Sequence, residues 1–103
     1  MADRKMIKGM KSMPGYIRHN LKILPIYFED VLSGKKSFEL RKDDRYYNVG
    51  DMFILREWDP DKGYTGRDFT DVISYIIRDC PGYGLMDGYV IFGWQYGKRD
   101  EMR

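Results

Sequence analysis

Cysteine and histidine are almost missing from this chain: Cys80 and His19 stand alone among 103 residues. A single thiol has no partner for an intramolecular disulfide, and one Cys with one His cannot complete a closed Cys/His zinc site. Long apolar runs are missing as well. No window approaches the ~20 apolar residues of a membrane span, and the opening stretch to Gly15 lacks the continuous apolar segment of a secretory leader. The expected setting is therefore a reducing cytoplasm, without membrane insertion. A strong charge excess is also lacking, because the formal net charge is only +2. What excess exists sits at the ends, in Arg4, Lys5, Lys8 and Lys11 and again in Lys98, Arg99 and Arg103. Residues 17–96 are slightly acidic as a group, which speaks against a long groove tracking phosphates. Any anion site there has to be a local cluster.

What is present points to one folded core. Hydrophobic residues make up 43% and aromatics 16% of the chain, with nine tyrosines, far too rich a mixture for a disordered segment. A chain of this length cannot divide its buried surface between two cores. Residues 1–16 show no sustained period and end in Pro14-Gly15, so they are expected to form a flexible basic arm. Residues 97–103 read as a charged tail, which leaves residues 17–96 as the domain.

Within the domain, Ile17, His19, Leu21 and Ile23 alternate with polar residues, the period of a half-buried strand. Pro25 suits a first helical position and Gly34 a left-handed closure, and Tyr27, Phe28, Val31 and Leu32 recur at helical spacing between them. A helix over 25–33 follows. After it, Ser37 to Arg41 alternates again, which predicts a strand burying Phe38 and Leu40 while Ser37, Glu39 and Arg41 share the other face. Met52 to Trp58 is apolar on both faces and reads as a central strand. Turn residues at 59–66 then lead into 67–77 as the return arm of a long hairpin. The Pro/Gly-rich loop at 79–84 and a last strand at 89–94 complete an α+β order with no internal repeat.

Several blocks together resemble a known family: His19 to Ile23, Tyr27 to Arg41, Asp44 to Asp51, Leu55 to Asp59, and Tyr64 to Arg67. They are similar to the ASCH domains of the PUA-like superfamily, in particular a small branch common in phages and bacteria. The similarity covers about residues 19–93 and is most specific at Gly34-Lys35-Lys36 with Glu39 and Arg41, then Val49-Gly50-Asp51. The resemblance implies a small mixed β-barrel of five or six strands, with the helix near one opening and a cleft there. It also implies RNA or modified-base binding. Some small ASCH enzymes hydrolyse N4-acetylcytidine through a lysine, a threonine three residues later and a distant glutamate. Lys36 matches the lysine, but the threonine position holds Glu39, which argues against that mechanism here.

Lys36, Glu39 and Arg41 are the leading ligand candidates, since the cations can hold a phosphate or base carbonyl while Glu39 accepts from an exocyclic amine. A solvent-facing strand with one ion pair accounts for the same pattern. Lys22 joins this group. Trp58, Tyr64 and Arg67 flank the hairpin turn, where the rings can stack on a base and Arg67 can meet phosphate; pinning the turn is the structural counterpart. Arg45 with Tyr46 and Tyr47 forms a weaker cluster diluted by Asp43 and Asp44. For catalysis, a Lys36/Ser37 pair or a Glu39-positioned water is the available arrangement, although nothing in the sequence indicates a desolvated lysine. His19 reads as a structural, hydrogen-bonded residue. The glycines at 82–88 neither match a dinucleotide-binding spacing nor open a helix. No cofactor signal is present. The expected function is RNA or nucleotide binding, with hydrolysis of an acylated nucleoside as the alternative, and binding of a host protein through the aromatic rim as a third.

Overall fold

The computed structural model describes residues 16–95. The expected basic arm and charged tail lie outside those residues, apart from the arm's last position, Tyr16. Six strands and one α-helix follow in the order β1 (Arg18–Ile23), α1 (Pro25–Ser33), β2 (Phe38–Lys42), β3 (Met52–Asp59), β4 (Gly63–Val72), β5 (Tyr75–Arg78) and β6 (Tyr89–Gly93), with a 3-10 turn at Pro81–Tyr83. No described helix is long and apolar enough to cross a membrane.

The alternation of β1 does what its period requires. His19, Leu21 and Ile23 are buried while Arg18, Asn20 and Lys22 face outward. The strand lies parallel to β3, which is central in a β1-β3-β4 sheet, and β4 pairs antiparallel with β3. A second sheet, in the order β2-β6-β5, is antiparallel throughout. Leu21, Ile23, Phe53 and Leu55 of the first sheet meet Val90 and Phe92 of the second, and Phe28 and Val31 of α1 join the same cluster. Phe53, Phe92 and Trp94 sit with ring centroids 4.9–6.3 Å apart in tilted pairs, the spacing at which aromatic edges and faces attract. Burial of each such side chain is worth roughly 1.5–3 kcal/mol.

Pro25 stands in the first turn of α1, and Gly34 closes the helix at φ 87° by donating its N–H to the Val31 carbonyl. The Lys36 N–H reaches back to the Asp30 carbonyl at 3.0 Å. This second bond folds the chain tightly over the helix end and fixes where Lys36 begins. Of the four residues at helical spacing, only Phe28 and Val31 are buried; Tyr27 and Leu32 lie on the solvent side.

Three expectations need correction. The two sheets do not close into a barrel. Guanidinium groups occupy acceptors that a closing strand would need: Arg41 Nη2 donates to the Lys22 carbonyl at 2.6 Å and Arg45 Nη1 to that of Asn20 at 3.3 Å. The long return arm at 67–77 is not one strand either. It breaks at Ile73-Ser74, where Ile73 N–H bonds to Asp51 and Ser74 N–H to Gly93, so the chain leaves the first sheet and enters the second.

The third correction concerns the face of β2. Phe38 and Leu40 are 47% and 57% exposed, whereas Glu39 is only 5% exposed. Glu39 sits opposite Phe92, and opposite residues of an antiparallel pair project from the same face, here the core face. Leu40 sits opposite Ile91, which in turn faces Ile77, placing it on an apolar outer face. A carboxylate can take the inner position only because cations accompany it.

Candidate functional site

The end of β1, the first turn of α1 and β2 together enclose a recess of about 520 Å³. Ile23, Leu24, Tyr27, Phe38 and Leu40 contribute apolar surface to it, and Lys22, Lys36, Glu39 and Arg41 contribute charge. Glu39 is held from both sides. Lys36 Nζ contacts Oε2, and Arg41 Nε donates to Oε1 at 2.8 Å. Lys36 also donates to the Phe38 carbonyl at 2.8 Å, with its ammonium 5.2 Å from the Phe38 ring and 5.8 Å from the Tyr27 ring. Both cationic side chains keep some exposure, 18% for Lys36 and 23% for Arg41, so the cluster remains open to a ligand.

The structure thus brings Lys22, Lys36, Glu39 and Arg41 of the expected set into one recess. Ser37 is not among its lining residues, and its carbonyl instead accepts the Trp94 N–H at 3.2 Å. Trp58 and Tyr64, the expected stacking rings, are engaged by cations: Lys22 Nζ lies 4.2 Å from the Trp58 ring and Arg56 lies 4.1 Å from that of Tyr64.

Arg67 belongs to a separate network. Its Nε and Nη2 donate to Glu57 at 2.9 and 3.1 Å, and Nη2 also reaches Glu29 on α1 at 2.6 Å. Thr65 Oγ1 donates to Glu57 at 2.6 Å. The register of β3 against β4 shifts between Arg56 and Trp58, at Glu57 itself. Hydrogen bonds from Arg67, then from Thr65, hold the Glu57 carboxyl below the usual glutamate range, and the pair with Glu57 and Glu29 raises the Arg67 guanidinium above its ordinary value.

His19 and Asp51 form a third polar pair, at 2.8 Å between Nε2 and Oδ2 and both buried. Asp51 also accepts the N–H groups of Asn48 at 3.0 Å and Ile17 at 3.2 Å, so it pins the start of β1 to the loop before β3. Gly50 makes this loop possible. Its φ is 100°, and a Cβ there would stand 3.1 Å from the Tyr16 ring, closer than most such contacts and in a conformation that L residues avoid. Tyr47 packs 4.6 Å from His19, and burial raises its phenol above the ordinary value.

Sequence reasoning missed Tyr27, Phe38 and Arg56 as surface-lining residues. Helical spacing made Tyr27 look like core, and the alternation after Gly34 assigned Phe38 to the interior. Arg56 carried a weak signal only: it is the charged residue in the outward register of a central strand.

The geometry defines a class: a small two-sheet α+β domain with a charged, partly apolar recess beside α1, the one α-helix among the described residues. Comparison with known families is specific at this point. The family model described as Domain of unknown function (DUF3850) matches residues 18–94, and the chain belongs to that family. A relative from Escherichia phage P2, described as "Uncharacterized 12.9 kDa protein in GpA 3'region", is 42% identical over an alignment of 65 residues that covers 56% of this chain. The match spans 59% of that relative's length.

Proposed function

We propose that the domain is an RNA- or nucleotide-binding module, with RNA the preferred ligand, that takes a base into the recess between β1, α1 and β2. One observation carries the reading: apolar walls and a Lys36–Glu39–Arg41 cluster share a single recess of about 520 Å³, within the size range of small-molecule sites. Tyr27 and Phe38 offer faces for a planar ring. Glu39 can accept from an exocyclic amine, and Lys36 and Arg41 can donate to a base carbonyl or phosphate. The ASCH and PUA-like assignment belongs to the same proposal. A helix between the first two strands and a recess beside it support that assignment, and RNA as ligand follows from it by analogy.

NMR titration with short single-stranded RNAs and modified nucleosides tests the reading. Saturable shifts at Lys22, Lys36, Glu39 and Arg41 are expected; shifts confined to the basic residues before Gly15 would overturn it. The hydrolytic alternative has a narrower basis, because Lys36 Nζ is engaged by Glu39 and the Phe38 carbonyl and Ser37 does not line the recess. Incubation with N4-acetylcytidine separates the two. Product formation lost in Lys36→Ala favours hydrolysis, and saturable binding without product favours the module. Capture of a host protein that survives both nuclease treatment and Arg41→Gln would favour a protein-interaction role instead.

A further inference from the structure

We infer that a second recess, contiguous with the first, is a phosphate subsite, so that the ligand is a phosphorylated nucleotide unit rather than a free nucleoside. The ligand's identity rests on the nucleotide reading above; the anion preference rests on the recess itself. This cavity of about 300 Å³ is lined by Asn20, Lys22, Arg41, Arg45, Arg56 and Tyr64 together with Leu21. Four of these residues are cationic and none is acidic. Lys22 and Arg41 line both recesses, so the two adjoin.

The cations are oriented before any ligand arrives. Arg41 is fixed by the Lys22 carbonyl at 2.6 Å and by Glu39, and Arg45 by the Asn20 carbonyl at 3.3 Å. Arg56 stacks on Tyr64 at 4.1 Å. A guanidinium with five N–H donors retains several after one or two such bonds, and stacking leaves its in-plane edge open. Lys22 and Arg56 carry no ion pair among the described residues; their contacts are the ring faces of Trp58 and Tyr64. The acidic neighbours of the cluster offset only part of its charge. Glu39 is shared between Lys36 and Arg41, Asp44 lies 3.8 Å from Arg45 on the exposed rim, and Asp68 stands opposite Arg56 in the β3–β4 register without lining the recess. Charges held in place by backbone carbonyls and a ring lose little side-chain freedom on binding, and that favours a compact oxyanion over diffuse counterions.

The test uses the full chain and side-chain NMR with four probes: inorganic phosphate, a pool of ribonucleosides, the matching 5′-monophosphates, and dinucleoside monophosphates. Inorganic phosphate is expected to shift the Arg45 and Arg56 guanidinium signals saturably. Phosphorylated probes should bind about tenfold or more tighter than nucleosides. Arg56→Gln and Arg45→Gln should each reduce that advantage while leaving nucleoside affinity within about twofold, since neither residue lines the base recess. Preference for monophosphates assigns the site to a terminal phosphate, and preference for the dinucleoside probes assigns it to a chain phosphodiester; both support the subsite. Unsaturated shifts spread over all exposed lysines and arginines, or equal affinity for nucleosides and monophosphates, would overturn it. The two readings fail separately. Nucleoside binding without a phosphate advantage removes the subsite and keeps the base recess, whereas saturable phosphate binding without any nucleoside response removes the base recess and keeps the subsite.

Discussion

Glu39 and Glu57 are buried to nearly the same extent, at 5% and 4% exposure, and each is held by an arginine and one further donor. They differ in what lies beyond those partners. Behind Glu57, Arg67 continues to Glu29, and its guanidinium packs 5.0 Å from the Phe28 ring, so the network ties hairpin to helix. Behind Glu39, Lys36 and Arg41 line an open recess with apolar walls. A polar network whose members satisfy one another rigidifies the fold, whereas one that lines a recess can exchange donors with a ligand. Burial of a carboxylate therefore does not mark a site, and neither does exposure of its partners, since Arg67 is 48% exposed against 18% for Lys36 and 23% for Arg41; the apolar-walled recess beside Lys36 and Arg41 does.

Breaking the Glu57–Arg67–Glu29 network should produce the largest effect. Arg67→Ala strands the buried Glu57 and releases the hairpin from α1, so the thermal midpoint is expected to fall on the order of 10 °C, with nucleotide affinity of the surviving folded protein unchanged. Calorimetry and titration on one sample check both halves. Glu39→Gln inverts the pattern: affinity for RNA or nucleotide should drop about tenfold, with a smaller change in midpoint than Arg67→Ala. A Glu39→Gln protein that binds normally and melts far lower would make the two glutamates equivalent and end the distinction.

The pH dependence sharpens the contrast further. Glu57 titrates below its ordinary value of 4.5 in the folded protein. The bound carboxylate thus contributes stability that is complete above that value and is lost as the pH falls from there through the lowered folded value. Urea melts across this acid range should show a weaker acid limb in Glu57→Gln. Tyr47 gives the smallest effect, at the opposite extreme. Its burial raises the phenol above 10.0, so stability present below that pH declines as the pH rises through the folded value. Tyr47→Phe should remove that alkaline component, as denaturation followed above pH 10 would show.

Particular elements show why some of this was legible and some was not. The strict alternation of β1 and the Pro25 and Gly34 boundaries of α1 are local signals, and the structure follows them. Apolar residues on both faces placed β3 at a sheet centre. The same alternation misled at β2, because apolar Phe38 and Leu40 have two apolar destinations: the outer face with Ile77 and Ile91, and the recess wall. Only the approach of Lys36 from the helix end and Arg41 from the strand made the inner position tenable for Glu39. Likewise nothing in the neighbourhood of Arg67 along the chain reveals Glu29, its partner across the fold.

By itself the sequence determined the strand and helix periods, the single core, and the gathering of Lys36, Glu39 and Arg41 within a few residues of one helix end. Those follow from backbone geometry and short-range spacing. Tertiary structure alone decided that the sheets stay open, that Glu39 turns inward, and that Arg41, Arg45 and Arg56 meet beside Lys22. Such outcomes depend on charge and hydrogen-bond partners distant in the chain, whose pairing energies no local pattern encodes.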